Sequence, residues 1–348
     1  MMARDRVAGA PYFRSFAGFA RSGGSPLYER LALAIAEDPE MLASASLARA
    51  EQPQANILFG AVHALLLSGT QHPLTEYYPS CGGVRAPDDG AYAAFKSFVG
   101  RERERLEPII KTRVTNTNEV GRSALLYPAY DRIAGETGVP LNIIEIGPSA
   151  GLNLNWFRYG YRYGGERGVA LTRNDGAALT LSSELRGQRW PKLAPQLPEV
   201  SAITGLELNP VDLSSPQERI WLRALVWPER VDRLKRLDAA LAIAAQYPPP
   251  IERGNASEDL ARLVERGPPG PLTVAHTLVT YQLSSQQLTA LESALHAASA
   301  RRAIYEVGVE WDGSGYPITL TSYLAGEAQR IELARCDPHG GWIEWLAD

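Results

Sequence analysis

Residues 142–156, NIIEIGPSAGLNLNW, constrain this chain more than any other stretch. An apolar, β-rich run ends at Glu145, a turn of small residues follows at Gly147, Ser149, Ala150 and Gly151, and apolar residues then resume. That order reads as a strand, a tight turn and a helical segment, since β-branched residues favour strands and glycine permits left-handed backbone. From residue 141 onward, short β-rich runs alternate with helical ones, the signature of a sheet built from βαβ units. LNIIEI (141–146) is the first run, followed by ITGLELN (203–209), PPIERGN (249–255), LTVAHTLV (272–279) and RAIYEVGV (302–309). The segment 317–346 then reads as an antiparallel hairpin that finishes the sheet. Residues 157–200 break the alternation as a β-rich excursion followed by a Pro-rich connection.

The first third is different. SPLYERLALAIAEDPEMLA, NILFGAVHALLLSG, GAYAAFKSFVGRERERLEPIIKTR and SALLYPAYDRIAGETG carry apolar residues at helical intervals, with no strand alternation before about residue 140. Ser25 before Pro26 suits a helix N-cap, and residues 79–90 form a loop. The expected organisation is a helical region over 1–135 and a sheet domain over 136–348, within the size that 348 residues allow. NILFGAVHALLLSG contains His63 and is shorter than the ~20 residues a membrane span needs, so it reads as a buried helix. The N-terminus gathers no apolar core of signal-peptide length. Two widely spaced cysteines, Cys81 and Cys336, fit a reducing compartment, so a cytoplasmic location is expected. A net charge of -4 argues against a nucleic-acid-binding surface, and RERERLEPIIKTR alternates Arg with Glu as a solvated helix face does.

In open α/β sheets, ligands bind beyond the carboxyl ends of the strands at the topological switch point, which is where the 147–151 turn falls. A dinucleotide fingerprint would place glycines at the positions of Ser149 and Leu152, and both are missing. The remaining pattern, E-x-G-x-x-x-G, resembles motif I of the class I S-adenosylmethionine-dependent methyltransferases, with Ser149 in place of the middle glycine. The resemblance implies a Rossmann-like methyltransferase sheet and places S-adenosylmethionine against Glu145, Gly147, Ser149 and Gly151. GLELNP (205–210) resembles the end of that family's second strand, which implies that Glu207 takes both ribose hydroxyls. RGNASEDL resembles the end of the third strand, which implies that Asn255, followed by Ala256, meets the adenine. TVAHTLVTYQL resembles the fourth strand and its exit loop, with His276, Thr277 and Tyr281 as catalytic or substrate-facing candidates. The separation of Gly147 from Glu207 far exceeds the ~20 residues of a compact βαβ unit, so 157–200 reads as an insertion. Its Tyr159, Tyr161, Arg162 and Tyr163 either line a substrate pocket or cover an edge of the sheet.

Nearly the whole chain also resembles an uncharacterised bacterial family through GSPLY, TNEVGRSA, EIGPSAGLNLNW, LRALVWPE and HGGWIEWL. Within TNTNEVGRSALL, Asn118, Glu119 and Arg122 are expected to face the cofactor cleft as substrate-binding residues, with Glu119 and Arg122 spaced to pair. The five histidines lack the spacing of a helical metal site, so no catalytic metal is expected. His276 is the candidate general base, while His339 reads as a turn residue. No nucleophile elbow or P-loop is present. The reading that results is an α/β methyltransferase acting on an oxygen or nitrogen of a small molecule. The alternatives are a non-catalytic ligand-binding or interaction protein on the same sheet and, less favoured, a nicotinamide-dependent oxidoreductase.

Overall fold

A computed structural model describes residues 9–165 and 168–348 of the chain. The described residues fall into two compact units. One holds the residues before 118 together with 213–237, and the other holds 118–212 with 238–348. The division therefore lies at 117 and again within a later helix, whereas the sequence reading places a single boundary at 135.

The first unit is helical, as its periodicity predicts. It contains α1 (Ala10–Ser22), α2 (Pro26–Ile35), α3 (Pro39–Ala45), α4 (Gln54–Leu67), α5 (Gly90–Arg101) and α6 (Arg103–Thr112), and α8 (Pro216–Ala224) joins them. The Ser25 and Asp38 side chains accept backbone N–H bonds at the starts of α2 and α3, satisfying amides that a helix leaves unpaired. Helix α4 is buried almost all round, and its Phe59 packs against Phe13, Phe16, Tyr28 and Phe95. His63 in the same helix is wholly buried. Its two ring nitrogens bond Ala224 O and Ser80 Oγ, and burial pushes its pKa down to about 4. Arg103, Glu107 and Lys111 pair along the exposed side of α6.

The second unit is a mixed α/β structure around one eleven-stranded sheet. Its strands are β1 (Leu141–Ile146), β2 (Gly160–Gly165), β3 (Gly168–Arg173), β4 (Thr180–Arg186), β5 (Val200–Glu207), β6 (Ile251–Arg253), β7 (Leu272–Thr277), β8 (Ile304–Val309), β9 (Tyr316–Leu324), β10 (Glu327–Cys336) and β11 (Trp342–Trp345). They lie in the order β3-β2-β4-β11-β10-β9-β8-β7-β1-β5-β6. The five predicted runs are β1, β5, β6, β7 and β8, all parallel to one another, and β8 pairs antiparallel with β9 on its other side. The β9–β10 hairpin is antiparallel, as expected, but it does not finish the sheet. Strand β11 follows it and pairs with β4, so the 157–200 excursion supplies three more strands at that edge.

Helices cover both faces of the parallel strands. Ile144 and Ile146 point into a core shared with Leu260, Leu263, Leu291 and Leu295 of α10 (Ala256–Arg266) and α11 (Ser285–Ser299). Alternation along β1 turns Ile143 and Glu145 to the other face, where α7 (Ser123–Thr137) places Tyr130 close to Glu145. Helix α7 packs on β1, β4, β8 and β9, which explains why it belongs to the sheet unit and not to the helices before it in sequence. Helix α9 (Val231–Gln246) leads from α8 to β6. Among the described residues, no helix is long and apolar enough to cross a membrane.

Candidate functional site

Strand β1 lies between β5 and β7, so the chain winds to one side of β1 and later to the other. The turn after β1 stands at this reversal. Gly147 and Gly151 take left-handed backbone, with φ of 65° and 73°, and Ser149 between them takes φ 60°. Such a conformation costs a non-glycine residue about 1–2 kcal/mol, so its surroundings must hold it. They do: the Ser149 N–H donates to Glu207 Oε2 at 2.8 Å, and the Asn209 N–H donates to Oε1 at 2.9 Å. Leu278, the first residue past β7, is also left-handed at φ 53°. Two strained loops thus leave adjoining strands.

The protein's own side chains pack closely on this turn. A Cβ on Gly147 would stand 2.6 Å from Val279 Cγ2, and one on Gly151 would stand 2.8 Å from Ile251 Cδ1. The segment before α7 braces the turn from another side. Asn118 Oδ1 accepts the Leu152 N–H, the Asn153 amide donates to Glu119 O, and Ser123 Oγ donates to Asn153 Oδ1. Glu119 Oε1 accepts the Gly121 N–H. The Arg122 guanidinium donates to Thr277 O and Pro338 O. Asn118 and Glu119 therefore bond the segment that follows β1, whereas Arg122 bonds backbone carbonyls at the end of β7 and at Pro338.

Other expected site residues are differently placed. Glu145 is buried beneath the turn. Burial pushes its carboxyl up to about 8, with Arg122 opposing and Glu207 reinforcing the shift, so the side chain is a mostly protonated core group at neutral pH. Asn255 stands at the end of β6, where its carboxamide caps α10 by accepting from Ser257, and Ala256 is the first residue of that helix. Tyr159 and Tyr161 are wholly buried. Their hydroxyls donate to Leu152 O and Trp156 O, and Tyr161 packs on Tyr127 with ring centroids 4.6 Å apart. They form an aromatic core behind the turn, not a pocket wall.

The geometry least consistent with expectation is at His276. Burial alone would lower its pKa, but two carboxylates outweigh that and hold it up at about 9. Nδ1 lies 2.8 Å from Glu310 Oε1, and Nε2 lies 3.4 Å from Glu306 Oε1. A histidine protonated at neutral pH cannot accept a proton there, so its general-base role is corrected to that of a buried imidazolium. Its partner Glu310 also accepts the Val279 and Thr280 N–H groups, which fixes the loop that covers Gly147. Tyr281 follows on that loop and is about half exposed.

Reasoning from sequence missed Glu306 and Glu310. The signal was present in EVGVE (306–310), where Glu306 and Gly308 share one face of β8 and Glu310 follows in the same alternation just past its end. Gly308 pairs in register with His276, and a Cβ on it would stand 2.8 Å from the imidazole Cε1, so this glycine leaves room for the ring.

These features define a mixed α/β protein with a strained, carboxylate-clamped turn at the point where its parallel strands reverse. The chain belongs to the bacterial family described as "Uncharacterized protein conserved in bacteria (DUF2332)", whose model matches residues 10–345. No curated protein and no solved structure matches the chain.

Proposed function

We propose that this protein is an S-adenosylmethionine-dependent methyltransferase acting on an oxygen or nitrogen of a small molecule. The observation that carries the reading is Glu207 clamped on the left-handed turn at Ser149, at the switch point of a sheet whose parallel strands run β6-β5-β1-β7-β8. Renumbered by sequence order, that is the 3-2-1-4-5 arrangement of nucleotide-binding α/β sheets, which take ligands at this point. The left-handed Ser149 also answers the missing middle glycine, because the backbone keeps the shape a glycine would give.

The residues present fit the cofactor. A carboxylate offers about four lone-pair positions, and the two backbone bonds to Glu207 use one on each oxygen, so each retains an acceptor position for a ribose hydroxyl. Bound cofactor would supply a methyl group already activated on a sulfonium. The chain's own task is then alignment and exclusion of water. Glu207 and the 147–151 turn would hold the nucleoside, Asn255 and Ala256 would border it, and Tyr281 would stand on the loop beside the acceptor. His276 takes no proton in this scheme; through Glu310 it fixes the loop.

A second reading is a non-catalytic protein that binds a nucleoside-type ligand on the same sheet. The packing of Val279 on Gly147 and the absence of a base at His276 favour it. Calorimetry with S-adenosylmethionine, S-adenosylhomocysteine and NAD separates the readings. Binding of the first two without NAD is the expected result, and silence from all three would reject both. Methyl transfer to a small-molecule panel then divides enzyme from binder. Glu207→Ala is expected to weaken S-adenosylhomocysteine binding by about 1–3 kcal/mol, because the ribose hydroxyls lose their buried acceptor. Unchanged affinity would remove Glu207 from the site.

A further inference from the structure

The loop that leaves β7, residues 278–283, lies over the turn that leaves β1. Both Val279 methyls face Gly147, since a Cβ there would stand 2.6 Å from Cγ2 and 3.1 Å from Cγ1. A glycine in such a turn leaves its backbone open to close approach, and here the protein's own valine makes that approach. Val279 is half-buried, whereas Tyr281 and Gln282 beyond it are exposed, so the loop is a thin cover with solvent on its outer side.

Both ends of the loop are fixed. The Arg122 guanidinium donates to Thr277 O, and the Leu278 N–H donates to Val309 O. At the far end Ser284 and Gln287 form a reciprocal capping box at the start of α11. Between these points the loop bonds to itself: the Gln282 N–H donates to Val279 O, the Leu283 N–H to Thr280 O, and the Gln282 carboxamide to Leu278 O. It can therefore move as one body. Glu310 ties it to the sheet, Oε1 accepting the Val279 and Thr280 N–H groups at 2.9 and 3.2 Å. Leu278 stands at φ 53°, a left-handed conformation that a leucine avoids. The covering position is thus held against strain by the Glu310 carboxylate and the valine contact.

We infer that residues 278–283 are a strap closed over the β1 turn, hinged at Leu278 and latched by Glu310, and that a nucleoside-type ligand reaches the turn only after Val279 leaves Gly147. The inference rests on the reading, common to both functions proposed above, that the turn takes such a ligand. Only the open fraction of molecules then binds, and the apparent affinity is reduced by that fraction.

Isothermal titration of the full chain with S-adenosylhomocysteine, together with hydrogen exchange at the Val279 and Thr280 amides, tests this. Val279→Ala removes the two covering methyls, and should tighten binding about threefold or more and speed exchange. Leu278→Asn places at the hinge a residue that accepts left-handed backbone, and should weaken binding about threefold or more and slow exchange. A valine that merely contacts the ligand would weaken binding when truncated, so weaker or unchanged binding in Val279→Ala overturns the strap. Should S-adenosylhomocysteine bind neither the parent nor the variants, the nucleoside reading falls and exchange decides the strap alone. Exchange faster at Val279 and Thr280 than at Val274 and Ala275 of β7, shifted in opposite directions by the two substitutions, upholds it. Exchange as slow as in β7 and unmoved by either substitution overturns it.

Discussion

Gly121→Ala is expected to destabilise the sheet unit by about 3 kcal/mol, the upper part of the ordinary range for overpacking. A Cβ at Gly121 would stand 2.1 Å from His339 O, and one at Gly340 would stand 2.2 Å from Gly121 O. Two backbones therefore meet with no side chain between them. The usual relief, a neighbouring rotamer change, is absent because the obstructing atoms are carbonyl oxygens. Any shift would also disturb Arg122, which bonds Pro338 O on one side of this contact and Thr277 O on the other. The expected thermal midpoint falls by about 6–12 °C, at roughly 2–4 °C per kcal/mol for a unit of this size. Gly135→Ala is the control: it lies within α7 with nothing within 4 Å of its Cβ, so it should stabilise by about 0.5–1 kcal/mol. Equal effects of the two changes would show that the Gly121 contact is loose.

That contact also shows where reading the sequence stopped. TNEVGRSA and DPHGGW each read as local features, a polar entry to a helix and a turn. Their meeting depends on a tertiary approach across more than two hundred residues, which no periodicity encodes. The parallel strands were legible because burial on both faces leaves near-continuous apolar runs in β1 and β7, bounded by turn residues. The place of β11 was not, since four residues at the chain's end carry no sign of pairing with β4. Tyr159 and Tyr161 were ambiguous for a different reason: an aromatic serves a pocket or a core equally well, and only the hydroxyl partners decide between them. For His276 the sequence located the strand end correctly. Its charge was set by Glu306 on the neighbouring strand and Glu310 just past that strand's end, and so was invisible along the chain.

That charge yields the second large expectation: stability should fall as pH rises from about 6.5 to 9. The folded pKa of His276, about 9, lies above the ordinary histidine value of 6.5, so the folded state retains a proton that the unfolded chain releases. Its stabilisation is complete below about pH 6.5 and is lost as pH rises through 9. At 1.36 kcal/mol per pKa unit this amounts to roughly 3 kcal/mol. Glu145 acts in the same direction over a lower window. Its carboxyl is raised from 4.5 to about 8, so burial of the neutral form contributes stability at acid pH that declines until pH passes 8. Urea unfolding at intervals from pH 5 to 9.5 measures the sum, stopping short of the range where buried tyrosines ionise. Glu310→Gln removes one of the two carboxylates that hold the imidazolium, and should flatten the loss above pH 8. Glu145→Gln should instead flatten the part between pH 5 and 8 and leave the alkaline limb intact. Because Glu310 also grips Val279 and Thr280, the same variant is expected to free the loop over Gly147 and speed hydrogen exchange at those amides. Stability that is level or rising across pH 6.5–9 would mean that His276 is neutral, which would return it to consideration as the proton acceptor.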